Sequence, residues 1–311
     1  MKAKLFLVLK IVVSLLSLLL VVRTSDLSSV ASILSGIQPS FVLVALAVFW
    51  IAQVVSSLRC VYIANELGQE LKLSTSVHAH FIGLWFNQVL PTSLGGDVLK
   101  VVVLTRIMGI SMAIRTAILD RFSGLFILIL AIVVTLPFYF IIIPPAQSTL
   151  LHGLTMLSIG ALVATVLVAW SATRLKRYLP PMSLLSKIVV LLSDIWLFHR
   201  SRALWRQLWT STIVHLNGIA AYGLLGLALG FDVNVLVFVL IVPLVFVVAL
   251  IPVSFAGWGV REAGAIWLFG LVGISRENAL VLSVAYGSML LLAGFPGLVL
   301  FIRGKYLDKG A

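Results

Sequence analysis

Charge is scarce in this sequence. Only 10% of its 311 residues are Asp, Glu, Lys or Arg, while 61% are hydrophobic; an ordinary globular domain carries about 25% charged residues. A water-facing surface cannot be assembled from so few charges, which excludes a soluble domain over almost the whole chain. Acids are scarcer still, with ten Asp plus Glu against 22 Lys plus Arg and a net charge of +12. With no D-x-D or D-D-x-x-D arrangement among them, a metal-dependent transferase of the paired-carboxylate type is disfavoured. The single cysteine, Cys60, excludes an intrachain disulfide. Beside Arg59 it reads as an inert thiol at the end of a span, with palmitoylation as the alternative. GxSxG, HExxH, P-loop, CxxC and dinucleotide fingerprints are missing from any usable context. His78 and His80, two residues apart, do not share a helix face as i and i+4 ligands would. Neither metal nor cofactor is therefore expected. Nor does the positive balance indicate nucleic acid, because no basic stripe is interleaved with aromatics for stacking bases.

What the sequence has instead is apolar length. A span needs about 20 apolar residues to cross roughly 30 Å of hydrocarbon. Six segments qualify, at about 5–22, 40–58, 118–143, 149–170, 209–230 and 278–302. Two further apolar stretches, about 77–104 and 235–273, are interrupted by Pro, Gly and polar residues. The first segment follows Met1-Lys2-Ala3-Lys4 and runs to Val22. Arg23 to Ser29 lacks an A-x-A cleavage pattern, so this segment reads as an uncleaved span or signal anchor. The expected fold class is an all-α polytopic membrane protein: six long helices plus two inverted re-entrant broken-helix hairpins, in one transmembrane domain over 1–311.

Lys and Arg stay on the cytoplasmic side of short loops. Arg174, Lys176, Arg177, Lys187, Arg200, Arg202 and Arg206 form the richest loop, with only Asp194 opposing them. Lys2 and Lys4 at one end, and Arg303, Lys305 and Lys309 at the other, share that side if each interrupted stretch returns to the side it entered from. Both termini are then cytoplasmic. The basic residues of the 171–208 segment interleave with Leu184, Leu185, Ile188, Leu192, Trp196 and Leu204, the pattern of an amphipathic segment on the cytoplasmic membrane face.

The same parity gives the two stretches opposite senses, and their sequences echo each other. Leu90-Pro91-Thr92-Ser93-Leu94-Gly95-Gly96 resembles Ile251-Pro252-Val253-Ser254-Phe255-Ala256-Gly257. A cation follows each proline by nine, Lys100 and Arg261. Leu67-Gly68 matches Leu229-Gly230 upstream, and Gly109-Ile110-Ser111 matches Gly273-Ile274-Ser275 downstream. Three matches in order point to an internal repeat, about 40–143 and 209–302. Inverted repeats with broken helices are how many secondary transporters build a midplane substrate site.

Broken backbone in hydrocarbon is tolerated where it is buried in protein or lines a wet cavity. The two P-x-S-x-x-G turns, with Pro91, Ser93, Gly95 and Gly96 in one and Pro252, Ser254, Gly257 and Gly259 at the other, therefore point inward. Freed amides and half-helix N-termini there favour an anionic group such as a phosphate; the alternative is that the prolines kink packed helices. Intramembrane cations need partners. Lys100, Arg121 and Arg261 are expected to converge on a polar cavity, with Asp97, Asp120 and Glu262 as the candidate acids, either as substrate contacts or as salt bridges fixing helices. Asn87 and Gln88 precede the first break and can satisfy its loose backbone groups, and His215 and Asn217 are placed for hydrogen bonds between helices.

Phe86-Asn87-Gln88-Val89-Leu90-Pro91-Thr92-Ser93-Leu94-Gly95-Gly96-Asp97-Val98, then Leu119-Asp120-Arg121-Phe122-Ser123-Gly124-Leu125, then Gly257-Trp258-Gly259-Val260-Arg261-Glu262-Ala263 together resemble the lysylphosphatidylglycerol synthase transmembrane, or flippase-like, family. In the multiple peptide resistance factor a similar membrane domain is joined to a soluble aminoacyl-transfer domain. The resemblance implies the lipid-translocating half without the synthase half. It leaves the substrate open, since relatives are also linked to hopanoid and glycolipid pathways. Its motifs fall on Asn87, Pro91, Gly95, Gly96, Asp97, Asp120, Arg121, Gly257, Gly259, Arg261 and Glu262. Many relatives carry a Tyr-Arg pair in the last long helix, whereas Tyr286 is followed here by Gly287, so a cation expected on that side is missing.

The expected activity is flippase-like transport of an anionic phospholipid or lipid-linked headgroup in a bacterial-type cytoplasmic (inner) membrane. The competing readings are a membrane-embedded transferase using Asp97 or Asp120 on a polyprenyl-phosphate or phospholipid, and a scaffold for a separate lipid synthase. Expected partners are membrane lipids and no nucleic acid, with a separate lipid-modifying enzyme and a homo-oligomer left open.

Overall fold

In the computed structural model the described residues are 26–90, 95–142, 145–178, 184–198, 202–232, 234–251, 254 and 256–304, with residues 12 and 23. Among them every regular element is helical: α1 (Leu27–Ser35), α2 (Pro39–Glu66), α3 (Leu73–Val89), α4 (Gly95–Ile142), α5 (Pro145–Leu175) with a 3-10 turn Lys176–Tyr178, α6 (Leu184–Phe198), α7 (Arg202–Ala228), α8 (Val235–Ala249), α9 (Val260–Gly270) and α10 (Arg276–Arg303).

Five helical stretches are long and apolar enough to cross a bilayer: Pro39–Glu66, Gly95–Thr135, Met156–Tyr178, Leu204–Ala228 and Arg276–Arg303. They carry five of the six long segments expected from sequence, and the sixth, 5–22, lies outside the described residues. Their outer faces present Leu43, Ile51, Val134, Leu157, Leu216 and Leu292, all exposed. Hydrocarbon solvates such side chains and water does not. The chain is thus a multi-pass helical membrane protein.

The helix ends follow from local chemistry. Pro39 opens α2 at its first turn, where its missing N–H is no loss. Asp26 caps α1 by accepting from the Ser28 amide. Hydrogen bonds from the Ser29 and Ser28 side chains and from the Ser28 amide hold its carboxyl down to about 2. α2 and α7 end alike: Gly68 and Gly230 take φ of 77° and 75°, and the next residues, Gln69 and Phe231, donate back to Ala64 and Gly226 at 2.9 Å each. This is the six-to-one closure that a left-handed glycine permits.

Both interrupted stretches are helical hairpins. In the first, α3 and the start of α4 pack together so that Gly83 meets Gly96, and Asn87 accepts from the Gly96 amide at 2.9 Å. The chain then reverses again at Gly109, φ 74° and ψ 160°, and the arm after it returns along the arm before it, bringing Asp120 to Lys100 and Arg121 to Asp97. The second half repeats the order. α8 and α9 meet at Gly264 and Val248, Gly273 reverses the chain at φ 81°, and α10 returns along α9, with Ser283 donating to Glu262. Each half therefore reads long helix, glycine stop, short helix, break, short helix, glycine turn, long helix.

The halves interlock. α10 lies on α3, where Gly294 and Gly297 let it approach the backbone of Trp85 and Phe81. The far end of α4 lies on α8, where the Tyr139 hydroxyl donates to the Leu240 carbonyl at 2.6 Å. The larger core gathers Tyr222, Phe238, Phe269 and Tyr286 around Leu240 and Ile241, and a smaller one gathers Cys60, Ala79, Ile82 and Leu104.

Candidate functional site: two buried charge clusters

The first hairpin carries a charge cluster in which one carboxylate serves two cations. Asp120 accepts from Arg59 Nε at 2.7 Å through Oδ1 and from Lys100 Nζ at 2.6 Å through Oδ2. Four helices supply the parts. Arg59 comes from α2, His80 from α3, Lys100 and Asp120 from the two arms of α4, and Ser211 of α7 accepts from Arg59 Nη1 at 2.9 Å. His80 Nε2 faces Lys100 Nζ at 3.0 Å and Ser56 Oγ at 3.2 Å, while its Nδ1 faces the Ser76 carbonyl at 3.1 Å. Arg59, Lys100 and Asp120 are each only 5% exposed. With His80 neutral, two cations against one carboxylate leave the cluster at +1. Removing such charges from water is costly, so an excess buried cation favours an arriving anion.

Nearer the break, Asp97 in the first turn of α4 accepts from Arg121 Nε at 2.5 Å. This pair is more open, with side chains 41% and 24% exposed for Arg121 and Asp97. Asn87 holds the Gly96 amide, one of the amides a helix start leaves without an intrahelical partner. Gly95 and Gly96 are buried against Leu90 and Gly83. Pro91 and Ser93 lie outside the described residues.

The second hairpin carries the matching cluster. Glu262 is fully buried and closes the start of α9 by accepting from the Gly259 amide at 2.5 Å. Its other oxygen accepts from Arg261 Nη2 at 2.7 Å and Nε at 3.0 Å. The Arg261 guanidinium lies over the Trp258 ring, 4.8 Å from its centre. Gly257 and Gly259 take φ of 83° and 85°, the left-handed geometry that favours glycine. Pro252 lies outside the described residues, but Ser254 is buried and its Oγ has no partner among them. The Tyr222 hydroxyl is likewise orphaned, with its ring stacked on Tyr286 at 4.1 Å. Buried polar atoms without partners mark places where water or a ligand belongs.

The three expected cations thus do find the three expected acids: Lys100 with Asp120, Arg121 with Asp97, Arg261 with Glu262. They do not converge on one cavity as expected, but form two groups strung along α7. Ser211 touches the first and Tyr222 stacks beside the second, eleven residues or about 16 Å further on at 1.5 Å per residue. Two participants are not evident from the sequence. Arg59 has the look of a span-end cation, and its carboxylate is 61 residues away; the cost of a cation inside an apolar run is the signal that marks it. His80 invites only the question of metal binding, and no cluster of metal-ligating residues occurs among the described residues. The cation missing after Tyr286 also has a physical account. A Cβ at Gly287 would collide with Arg261 Nη2 and lie 2.9 Å from the Trp258 ring. The space after Tyr286 is taken by Arg261 itself.

His215 makes the expected bond between helices, facing the Gly124 carbonyl at 2.8 Å. Asn217 instead donates along its own helix to Ile213. Asp194 of α6, the one acid of the basic segment, accepts two hydrogen bonds of 2.7 and 2.8 Å from Arg115 of α4.

Compared with known proteins, the chain matches the model of the family described as lysylphosphatidylglycerol synthase TM region, over residues 7–296. No curated protein and no solved structure matches the chain.

Proposed function

The chain belongs to the lysylphosphatidylglycerol synthase TM region family, and from that premise we propose that it moves an anionic phospholipid or lipid-linked headgroup between the leaflets of a bacterial inner membrane. The observation that carries this reading is the Arg59, Lys100 and Asp120 cluster, a buried site with one cation more than its acid can neutralise. A headgroup phosphate offers the missing negative charge. The barrier falls because the headgroup exchanges water for fixed cations and helix N-termini while its acyl chains stay in lipid.

In this account the whole chain is one transmembrane domain of six long spans, and the two hairpins are re-entrant halves of an inverted repeat. What supports the repeat is the shared order of elements, the paired left-handed glycines at 68 and 230 and at 109 and 273, and the reciprocal packing of each half's last helix on the other half's hairpin. Positive loops put both termini and the 171–208 segment on the cytoplasmic side. The substrate contacts are Asn87, Pro91, Ser93, Gly95, Gly96, Asp97, Lys100, Asp120 and Arg121 from one half and Pro252, Ser254, Gly257, Gly259, Arg261 and Glu262 from the other, with Arg59 added. A separate lipid-modifying enzyme would supply the cargo.

Native mass spectrometry of the gently extracted protein tests the binding part. The parental protein is expected to retain an anionic phospholipid in preference to a zwitterionic one, and Lys100→Gln, which takes the cluster from +1 to zero, to retain at least tenfold less. Equal retention of both lipid classes, unchanged in a folded Lys100→Gln, would remove the headgroup site.

A further inference from the structure

His80 sits where a single proton decides what Lys100 does. With its Nδ1–H donated to the Ser76 carbonyl, 3.1 Å away, the neutral ring has only the Nε2 lone pair left, and Lys100 Nζ fills it at 3.0 Å. An ammonium donates and never accepts. Once Nε2 is protonated, that contact becomes donor against donor and must break. The Nε2–H then has two acceptors in reach, Ser56 Oγ at 3.2 Å and Asp120 Oδ2 at 3.5 Å, the oxygen that also accepts from Lys100 at 2.6 Å. The cluster therefore has two arrangements. In one, Lys100 bridges His80 and Asp120. In the other, His80 donates to Ser56 or Asp120, and the ammonium, parted from His80, keeps only Asp120.

The neighbours leave His80 as the group whose charge can change. From α2 it faces Ser56, which also accepts from Arg59, and the Cys60 thiol lies beside Ser76. From α4 it faces Lys100 and Asp120, while Asp97 is held by Arg121. Ser211 of α7 stands behind Arg59. α10 meets α3 through Gly294 and Gly297, against Trp85 and Phe81. Arginine keeps its proton at any accessible pH, and Lys100 and Asp120 neutralise each other in direct contact.

We propose that His80 is a proton-binding site and that the protein carries its anionic headgroup together with that proton. The inference rests on the transport reading above. The ammonium parted from His80 has a donor free for the phosphate, and the phosphate in turn offsets the charge that the proton adds, so the cluster stays at +1 with both bound. Coupling of this kind is reciprocal: the anion favours the proton as much as the proton favours the anion. A monoanionic phosphodiester plus one proton is an uncharged cargo, so a pH gradient drives its movement and a membrane potential does not.

The test uses fluorescently labelled phosphatidylglycerol in phosphatidylcholine proteoliposomes, with a trapped pH dye and protein-free vesicles as the baseline. With the potential clamped, a gradient of two pH units, acid on the side where the lipid starts, is expected to speed transfer at least fivefold and to acidify the far side in step. A potential alone is expected to leave the rate unchanged. In His80→Gln both the acceleration and the linked acidification are expected to vanish. If the parental protein moves lipid at a rate set by the potential, with no proton following, the proton inference is wrong while transport stands; it is equally wrong if His80→Gln keeps the acceleration. If no lipid moves under any condition, the transport reading falls and this inference falls with it.

Discussion

Asp120→Asn is expected to destabilise the protein by about 3–5 kcal/mol, the range found when one partner of a buried ion pair is removed. The carboxylate is the common acceptor for Arg59 and Lys100, at 2.7 and 2.6 Å, and all three side chains are almost wholly withdrawn from solvent. An amide offers one oxygen to two cations and points an N–H₂ at one of them, so the loss is both a charge and a hydrogen bond. Thermal unfolding in detergent reads the effect, a fall of about 6–20 °C at roughly 2–4 °C per kcal/mol. Asp97→Asn is the control. Its pair with Arg121 is partly open to solvent, and exposed pairs contribute about 0–1 kcal/mol, so its midpoint should stay close to the parental one. If the two substitutions cost the same, the central position of Asp120 is refuted.

Gly96→Ala is expected to cost about 1–3 kcal/mol from overpacking alone and to abolish transport, because the collision is with backbone. A methyl there would overlap the Gly83 carbonyl oxygen and lie 2.7 Å from Asn87 Cγ. No rotamer change relieves the first contact. α4 must back away from α3, which removes the Asn87 cap and pulls Lys100 from His80, four residues further along the same arm. Gly297→Ala would overlap the Phe81 carbonyl and should separate α10 from α3 in the same way. Gly160→Ala, with nothing within 4 Å, should leave both stability and transport intact. Melting curves and lipid transfer measured together on the three variants check this; parental transport in Gly96→Ala would show that the close approach has no functional meaning.

The sequence is most legible where the physics is local. Each long span is an apolar run, so its helix follows from length alone, and the glycine markers at 68, 109, 230 and 273 repeat because each takes a positive φ that favours glycine. Boundaries are less legible. The span expected to start at 118 belongs to an arm that begins directly after Gly109, because Ser111, Arg115 and Thr116 interrupt the apolar run by which its start is read. The acids that pair with Lys100, Arg121 and Arg261 are readable from scarcity, since a cation in an apolar run needs an anion and few are present. The partners of Arg59 and His80 are not readable, because they come from a tertiary meeting of α2, α3 and α4 that no spacing rule encodes. Gly287 shows the reverse case: the sequence registers a missing arginine, and only the packing shows that Arg261 fills its space.

The central claim is that the buried cluster at Asp120 carries an anionic headgroup across the membrane, and transfer of labelled lipid between leaflets in reconstituted vesicles measures it directly. With gradients absent, the parental protein should move labelled phosphatidylglycerol well above the protein-free rate and above labelled phosphatidylcholine, and Arg59→Gln and Lys100→Gln, each of which sets the cluster charge to zero, should slow it at least tenfold while remaining folded. Transfer that is indifferent to headgroup charge, or that proceeds at the parental rate in both folded variants, would contradict the account.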